Sequence, residues 1–195
     1  FRPVATWQVW KTTHRTHRKI LVCDGQVGFT GGFGIAEQWE GDARHEGEWR
    51  DTHFRVTGPI VHGLQAAFCG NWLETGRAVV DAMERVQPLA PAGDMDVMAL
   101  RSTASPRWSD VATLLRLLIA GTKQRLRIAT AYFVPDERCV ELLCDAARRG
   151  VQVDVLVPGP HTDTRVSKLA GSDAYEPLLS AGVRIHEFQP SMMHC

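Results

Sequence analysis

The sequence predicts an α/β fold, and three observations predict it. Strand-like runs alternate with helix-length runs through the second half, a hairpin signature is followed by a further alternating segment in the first half, and Pro59 opens an apolar stretch at helical spacing. In the second half, Leu126 to Val134 reads as a strand, Asp136 to Arg149 as a helix ended by Gly150, and Val151 to Val157 as a strand. Arg165 to Ala181 follows as a helix stopped by Gly182, and Val183 to Phe188 as a strand. Strands separated by helices of this length imply right-handed crossovers and a largely parallel sheet flanked by helices. Ligands collect at the carboxyl ends of strands in such sheets. Tyr132-Phe133-Val134-Pro135-Asp136 and Pro158-Gly159-Pro160-His161-Thr162-Asp163 stand at two of those ends, which makes Tyr132, Asp136 and Asp163 candidate pocket residues. The plainer reading is that Pro-Asp caps a helix and Pro-Gly turns the chain.

In the first half, the run His17-Arg18-Lys19-Ile20-Leu21-Val22-Cys23-Asp24-Gly25-Gln26-Val27-Gly28-Phe29-Thr30-Gly31-Gly32 reads as a β-hairpin shaped to hold a phosphate. Asp24-Gly25 suits a two-residue type I′ turn, and Val27 to Thr30 supply the return strand. If Cys23 pairs with Gln26, Lys19 faces Thr30 and His17 faces Gly32. His17 and Lys19, two apart, share a face beside a Gly-Gly segment with no side chains to block a ligand. Thr52 to Val56 then alternates as a strand. Ile60, Leu64, Ala67, Phe68 and Trp72 recur at helical spacing until Gly76, with the aromatics assigned to the core. Residues 77–94, carrying Pro88, Pro91 and Gly93, read as a connector.

A histidine can attack phosphorus near neutral pH, and a lysine ammonium can neutralise non-bridging phosphate oxygens. Asp24 lies seven residues from His17, roughly 23 Å along an extended strand, too far to orient that ring, and reads as a turn residue. Asp51, in Trp49-Arg50-Asp51-Thr52-His53, is the candidate carboxylate for orienting His17.

Composition bounds the alternatives. The 195 residues are 44% hydrophobic and 23% charged, which describes a globular chain of one or two domains. Basic and acidic residues balance at 22 each, which argues against a nucleic-acid binder relying on a global basic field but leaves a local basic site open. Lys11, His14, Arg15, Arg18 and Lys19 supply such local charge. There is no apolar run of about 18 residues to span a membrane, and no signal peptide is read at the start. Five cysteines with no C-x-x-C suggest reduced thiols, with Cys23 in a buried strand position and Cys69 and Cys144 in helical patterns. His14, His17 and His45 form no compact zinc set, and no metal or other cofactor is expected.

The spacing H-x-K-x-x-x-x-D, six residues and then Gly31-Gly32, resembles the signature of the phospholipase D superfamily. Trp-Arg-Asp-Thr-His before Gly58-Pro59 resembles its bacterial cardiolipin-synthase branch. Members carry two such motifs, one per lobe, meeting at one active site. Met192-Met193-His194-Cys195 resembles the start of the second motif. With Phe1 first and Met83 the first methionine, the chain reads as an internal fragment from the first motif to the start of the second, inactive alone.

The resemblance implies two similar phospholipase D-like lobes, each with a mixed, largely parallel sheet flanked by helices and both incomplete here. They are expected at residues 1–76 and 95–195, joined by 77–94. It implies a metal-free phosphatidyltransferase working through a phosphohistidine, with His17, Lys19, Asp24, Asp51 and His194 as catalytic residues. Thr30, Gly31, Gly32, Tyr132, Asp136 and Asp163 are the implied substrate contacts. By that analogy His17 is the nucleophile and His194 the acid. Where members commonly carry an Asn that bonds the phosphate, this sequence has Gly34, so either a backbone amide or Thr30 substitutes or phosphate binding is weaker. Phosphatidylglycerol as acceptor would make cardiolipin and water would make a phospholipase product, at the cytoplasmic face of a bacterial membrane. A nuclease of the same superfamily and a non-catalytic relative remain as alternatives.

Overall fold

The computed structural model describes residues 17–76, 87–102, 110–163 and 171–195. Lys11, His14, Arg15, most of the expected connector and the first part of the expected helix from Arg165 lie outside them. The chain divides into two compact units. One runs to Gly31 and resumes from His53 to Asp110; the other comprises Gly32–Thr52 and Val111–Cys195. The division does not fall at 77–94, and the segment from Gly32 to Thr52, expected in the first lobe, packs with the second half.

The first unit holds an antiparallel sheet in the order β1 (Ile20–Cys23), β2 (Val27–Gly31), β3 (His53–Thr57). Asp24 and Gly25 have φ of 52° and 66°, and Gln26 N donates to Cys23 O at 3.0 Å, the hairpin turn that Asp-Gly favours. Gln26, however, stays outside the ladder. Cys23 pairs with Val27 and Ile20 with Thr30, so the register is one residue away from the expected Lys19–Thr30 pairing. Cys23 ends exposed rather than buried, because it falls on the outward face of the alternating strand β1.

Helix α1 (Ile60–Leu73) follows Pro59, whose φ of −57° is already helical. Val61, Leu64, Ala67 and Cys69 form its buried face, and Gly28 of β2 lies so close that a Cβ there would be 2.6 Å from Leu64 Cδ1. Phe68 and Trp72 are a correction to the expected core: they are exposed and stack on each other at 6.1 Å.

The second unit carries α2 (Asp110–Gly121), β4 (Arg125–Ala129), α3 (Glu137–Arg148), β5 (Gln152–Pro158), α4 (Tyr175–Ser180) and β6 (Arg184–Phe188). Its sheet, ordered β4-β5-β6, is parallel throughout, as the alternation of strands and helices requires. Val153, Val155 and Val157 on β5 meet Leu142, Leu143, Cys144 and Ala146 of α3, with Ile119, Phe133, Leu178 and Val183 completing the core. Gly150 and Gly182 take φ of 89° and 93°, which lets the chain leave each helix and enter the next strand at once. The opposite side of β5 carries Asp154, gripped by Arg184 Nε at 2.6 Å and Nη2 at 2.8 Å, with His186 and Gln152 each at 3.1 Å.

Candidate active site

His17 and Lys19 lie just ahead of β1, and their two-residue spacing brings them together: Lys19 Nζ is 3.0 Å from His17 Nε2. An ammonium has only protons to give, so this contact uses the ring nitrogen as an acceptor. Thr30 Oγ1 donates to Lys19 O at 3.0 Å and fastens β2 to the residue that carries the ammonium. Arg18 serves the fold, with Nη1 donating to Asn71 Oδ1 on α1 at 2.7 Å. Asp24 sits in the turn at positive φ, as its distance from His17 in the sequence requires.

His194 stands beyond β6 on a segment held by backbone hydrogen bonds on two sides. Arg50 N donates to Met192 O at 2.8 Å, His194 N donates to Arg50 O at 2.7 Å, and Ala131 N donates to Cys195 O at 2.9 Å. Asp51, next to Arg50, therefore arrives beside the imidazole, and His194 Nδ1 lies 2.8 Å from Asp51 Oδ2. The Asp51 side chain is 2% exposed and that of His194 15%. A buried carboxylate must be satisfied by donors. Trp39 Nε1 donates to Oδ2 at 3.1 Å and Thr52 N donates to Oδ1 at 2.7 Å. The ring that Asp51 orients is thus His194, not His17, which corrects the pairing expected from the sequence.

Two tryptophans that were not among the expected site residues, Trp39 and Trp49, lie against the same imidazole. Trp39 meets it edge-on at 5.6 Å and 87°, and Trp49 lies at 5.2 Å and 33°. The glycines of the first motif gain a different meaning here. A Cβ on Gly32 would collide with the Asp51 carboxylate, so this glycine makes room for a side chain and not for a ligand. A Cβ on Gly34 would lie 2.8 Å from Trp39 Cζ3, so the position where an Asn was expected is closed by an indole. Gly31 pairs with His53 in the β2–β3 ladder.

Of the residues expected at the strand ends, Tyr132 and Asp163 meet: the phenol donates to Asp163 Oδ2 at 2.7 Å. Tyr132 follows Ala131, whose N–H holds Cys195, so this pair stands at the same end of the sheet as His194. Asp136 is otherwise engaged. Its Oδ1 accepts Cys139 N at 2.8 Å as the N-cap of α3, and Oδ2 accepts Arg116, which together hold its pKa below the usual value. The helix-capping reading replaces the substrate-binding one. Among the described residues no group of three or more His, Cys, Asp or Glu is arranged to hold a metal ion.

Residues 115–195 match the family model described as cardiolipin synthase, phospholipase D-like domain. Over most of its length the chain is similar to cardiolipin synthases of the phospholipase D superfamily. It is 36% identical over 187 residues to cardiolipin synthase 2 of Bacillus cereus, which covers 94% of this chain and 36% of the relative. The cardiolipin synthase of Alkalihalophilus pseudofirmus is 36% identical over 183 residues, and cardiolipin synthase 1 of Bacillus anthracis is 30% identical over 214. The chain spans between 36% and 40% of the length of these curated relatives. The chain thus carries an H-x-K pair in one unit and a histidine bonded to a buried carboxylate in the other.

Proposed function

We propose that the protein carrying this chain is a phosphatidyltransferase that makes cardiolipin, with phosphatidylglycerol as both donor and acceptor. The observation that carries the reading is the Asp51–His194 pair, at 2.8 Å and shielded from water. With Nδ1 committed to the carboxylate, Nε2 is left to exchange a proton with an oxygen of the substrate.

In this mechanism His17 attacks the phosphodiester phosphorus. A P–N bond forms, the P–O bond to the leaving glycerol breaks, and His194 delivers a proton to the departing oxygen. The acceptor hydroxyl of a second phosphatidylglycerol then attacks phosphorus, His194 takes its proton, and the P–N bond breaks. Lys19 balances the charge of the non-bridging oxygens. The two motifs serve one site, the Tyr132–Asp163 pair contacts the substrate's head group, and the work takes place at the cytoplasmic face of a membrane. No helix among the described residues is long and apolar enough to cross one.

The reading is supported by the family model that residues 115–195 match and by the names of the chain's relatives. Incubating the intact protein with labelled phosphatidylglycerol and separating the lipids by thin-layer chromatography tests it: cardiolipin and free glycerol are expected. Phosphatidic acid alone would indicate hydrolysis, and nicking of plasmid DNA without lipid turnover would indicate a nuclease.

A further inference from the structure

We propose that Trp39 is a positioning residue for the proton-transfer step, and that Gly32 and Gly34 are glycines so that Trp39 and Asp51 can occupy this arrangement. The inference rests on His194 acting as the acid in the phosphodiester chemistry described above. A tryptophan indole can only donate, and Trp39 Nε1 points at Asp51 Oδ2, the oxygen that also receives His194 Nδ1. With Thr52 N on Oδ1, both oxygens are fixed and the carboxylate cannot rotate about its terminal torsion without losing a partner.

The same indole then meets the His194 ring edge-on at 5.6 Å and packs on Trp49 at 4.9 Å, so one side chain touches the acid, its orienter and the second aromatic wall. Space around this assembly is exhausted. The Cβ direction of Gly32 runs into the Asp51 carboxylate and that of Gly34 into the Trp39 ring. A methyl at either glycine must displace the group that sets His194.

A positioning role of this kind is separable from a merely structural one through the leaving group. Phosphatidylglycerol needs a proton on its departing alkoxide. Phosphatidyl-p-nitrophenol does not, because the phenolate is stable without one. In the intact protein, Trp39→Phe keeps a ring and removes the N–H, while Gly32→Ala and Gly34→Ala keep every hydrogen-bonding group and disturb its placement. Each is expected to lower kcat on phosphatidylglycerol by about ten-fold or more, the order of a weakened acid. The pre-steady-state burst of p-nitrophenol, which reports the first step alone, should slow by less than about three-fold and KM should stay nearly constant, since neither needs the acid. Equal losses on the two substrates, or none on either, would overturn the proposal. A wild-type protein that releases neither leaving group would sink the phosphodiester reading itself, and that outcome is distinct from both.

Discussion

At the residue scale, the chemistry of this chain turns on how a buried carboxylate is shared. Asp51 accepts from an imidazole, an indole and a backbone amide, and its side chain is almost wholly covered. Replacing it by Ala removes the group that fixes the His194 tautomer and leaves three donors without their acceptor. Asp51→Ala is expected to lower kcat on phosphatidylglycerol by about 10²-fold or more, with a smaller effect on KM, measured by steady-state lipid turnover. An unchanged kcat would deny His194 its acid role. The residue types of this site were legible in the sequence, but the partnership was not. Asp51 and His194 are separated by 143 positions, and nothing in local spacing distinguishes His194 from His17 as the ring the carboxylate serves. Trp39 and Trp49 were equally opaque, because an aromatic beside a loop carries no periodic signal until the loop's partner is known.

At the scale of elements, the second half was the readable part. Helix-length runs between β-branched runs, with Gly150 and Gly182 at the junctions, admit little besides parallel crossovers, and β4, β5 and β6 pair accordingly. The hairpin was readable in its turn but not in its register, since Asp-Gly specifies the reversal while leaving open whether Gln26 joins the ladder. Helix α1 was placed correctly, with Leu64 and Ala67 buried, but its aromatics were not, because Phe68 and Trp72 suit either a core or an outer stack by residue type alone.

Two stability predictions belong at this scale. Leu143, fully buried on α3 against β5, should cost about 2–5 kcal/mol when changed to Ala, read as a lowered urea midpoint with an unchanged slope. The Asp154 carboxylate is held well below its usual pKa, first by the hydrogen bonds from Arg184 and then by that from His186. A group whose folded pKa is depressed contributes stability above its unfolded value and loses it as pH falls. Stability should therefore drop from about pH 4 downward, and Asp154→Asn should flatten that part of the pH–stability curve. A variant that follows the wild-type curve would remove Asp154 from the account.

At the scale of the whole molecule, the central claim is a two-histidine exchange in which one ring becomes phosphorylated and the other moves the proton. The fold class and the resemblance to the phospholipase D superfamily follow from sequence patterns that span the chain. The division of labour between the histidines does not, because residue type is the same at His17 and His194 and chemistry alone separates them. The most direct test is to incubate the intact protein with phosphatidylglycerol and with phosphatidyl-p-nitrophenol, whose leaving group needs no acid, quench in alkali to preserve phosphohistidine, and locate the adduct by mass spectrometry in wild type, His17→Ala and His194→Ala. The account predicts a phosphatidyl adduct on His17 that builds up in His194→Ala, where the second step lacks its base, and vanishes in His17→Ala, with cardiolipin made only by wild type. An adduct on His194, or cardiolipin formed with neither histidine modified, would contradict it.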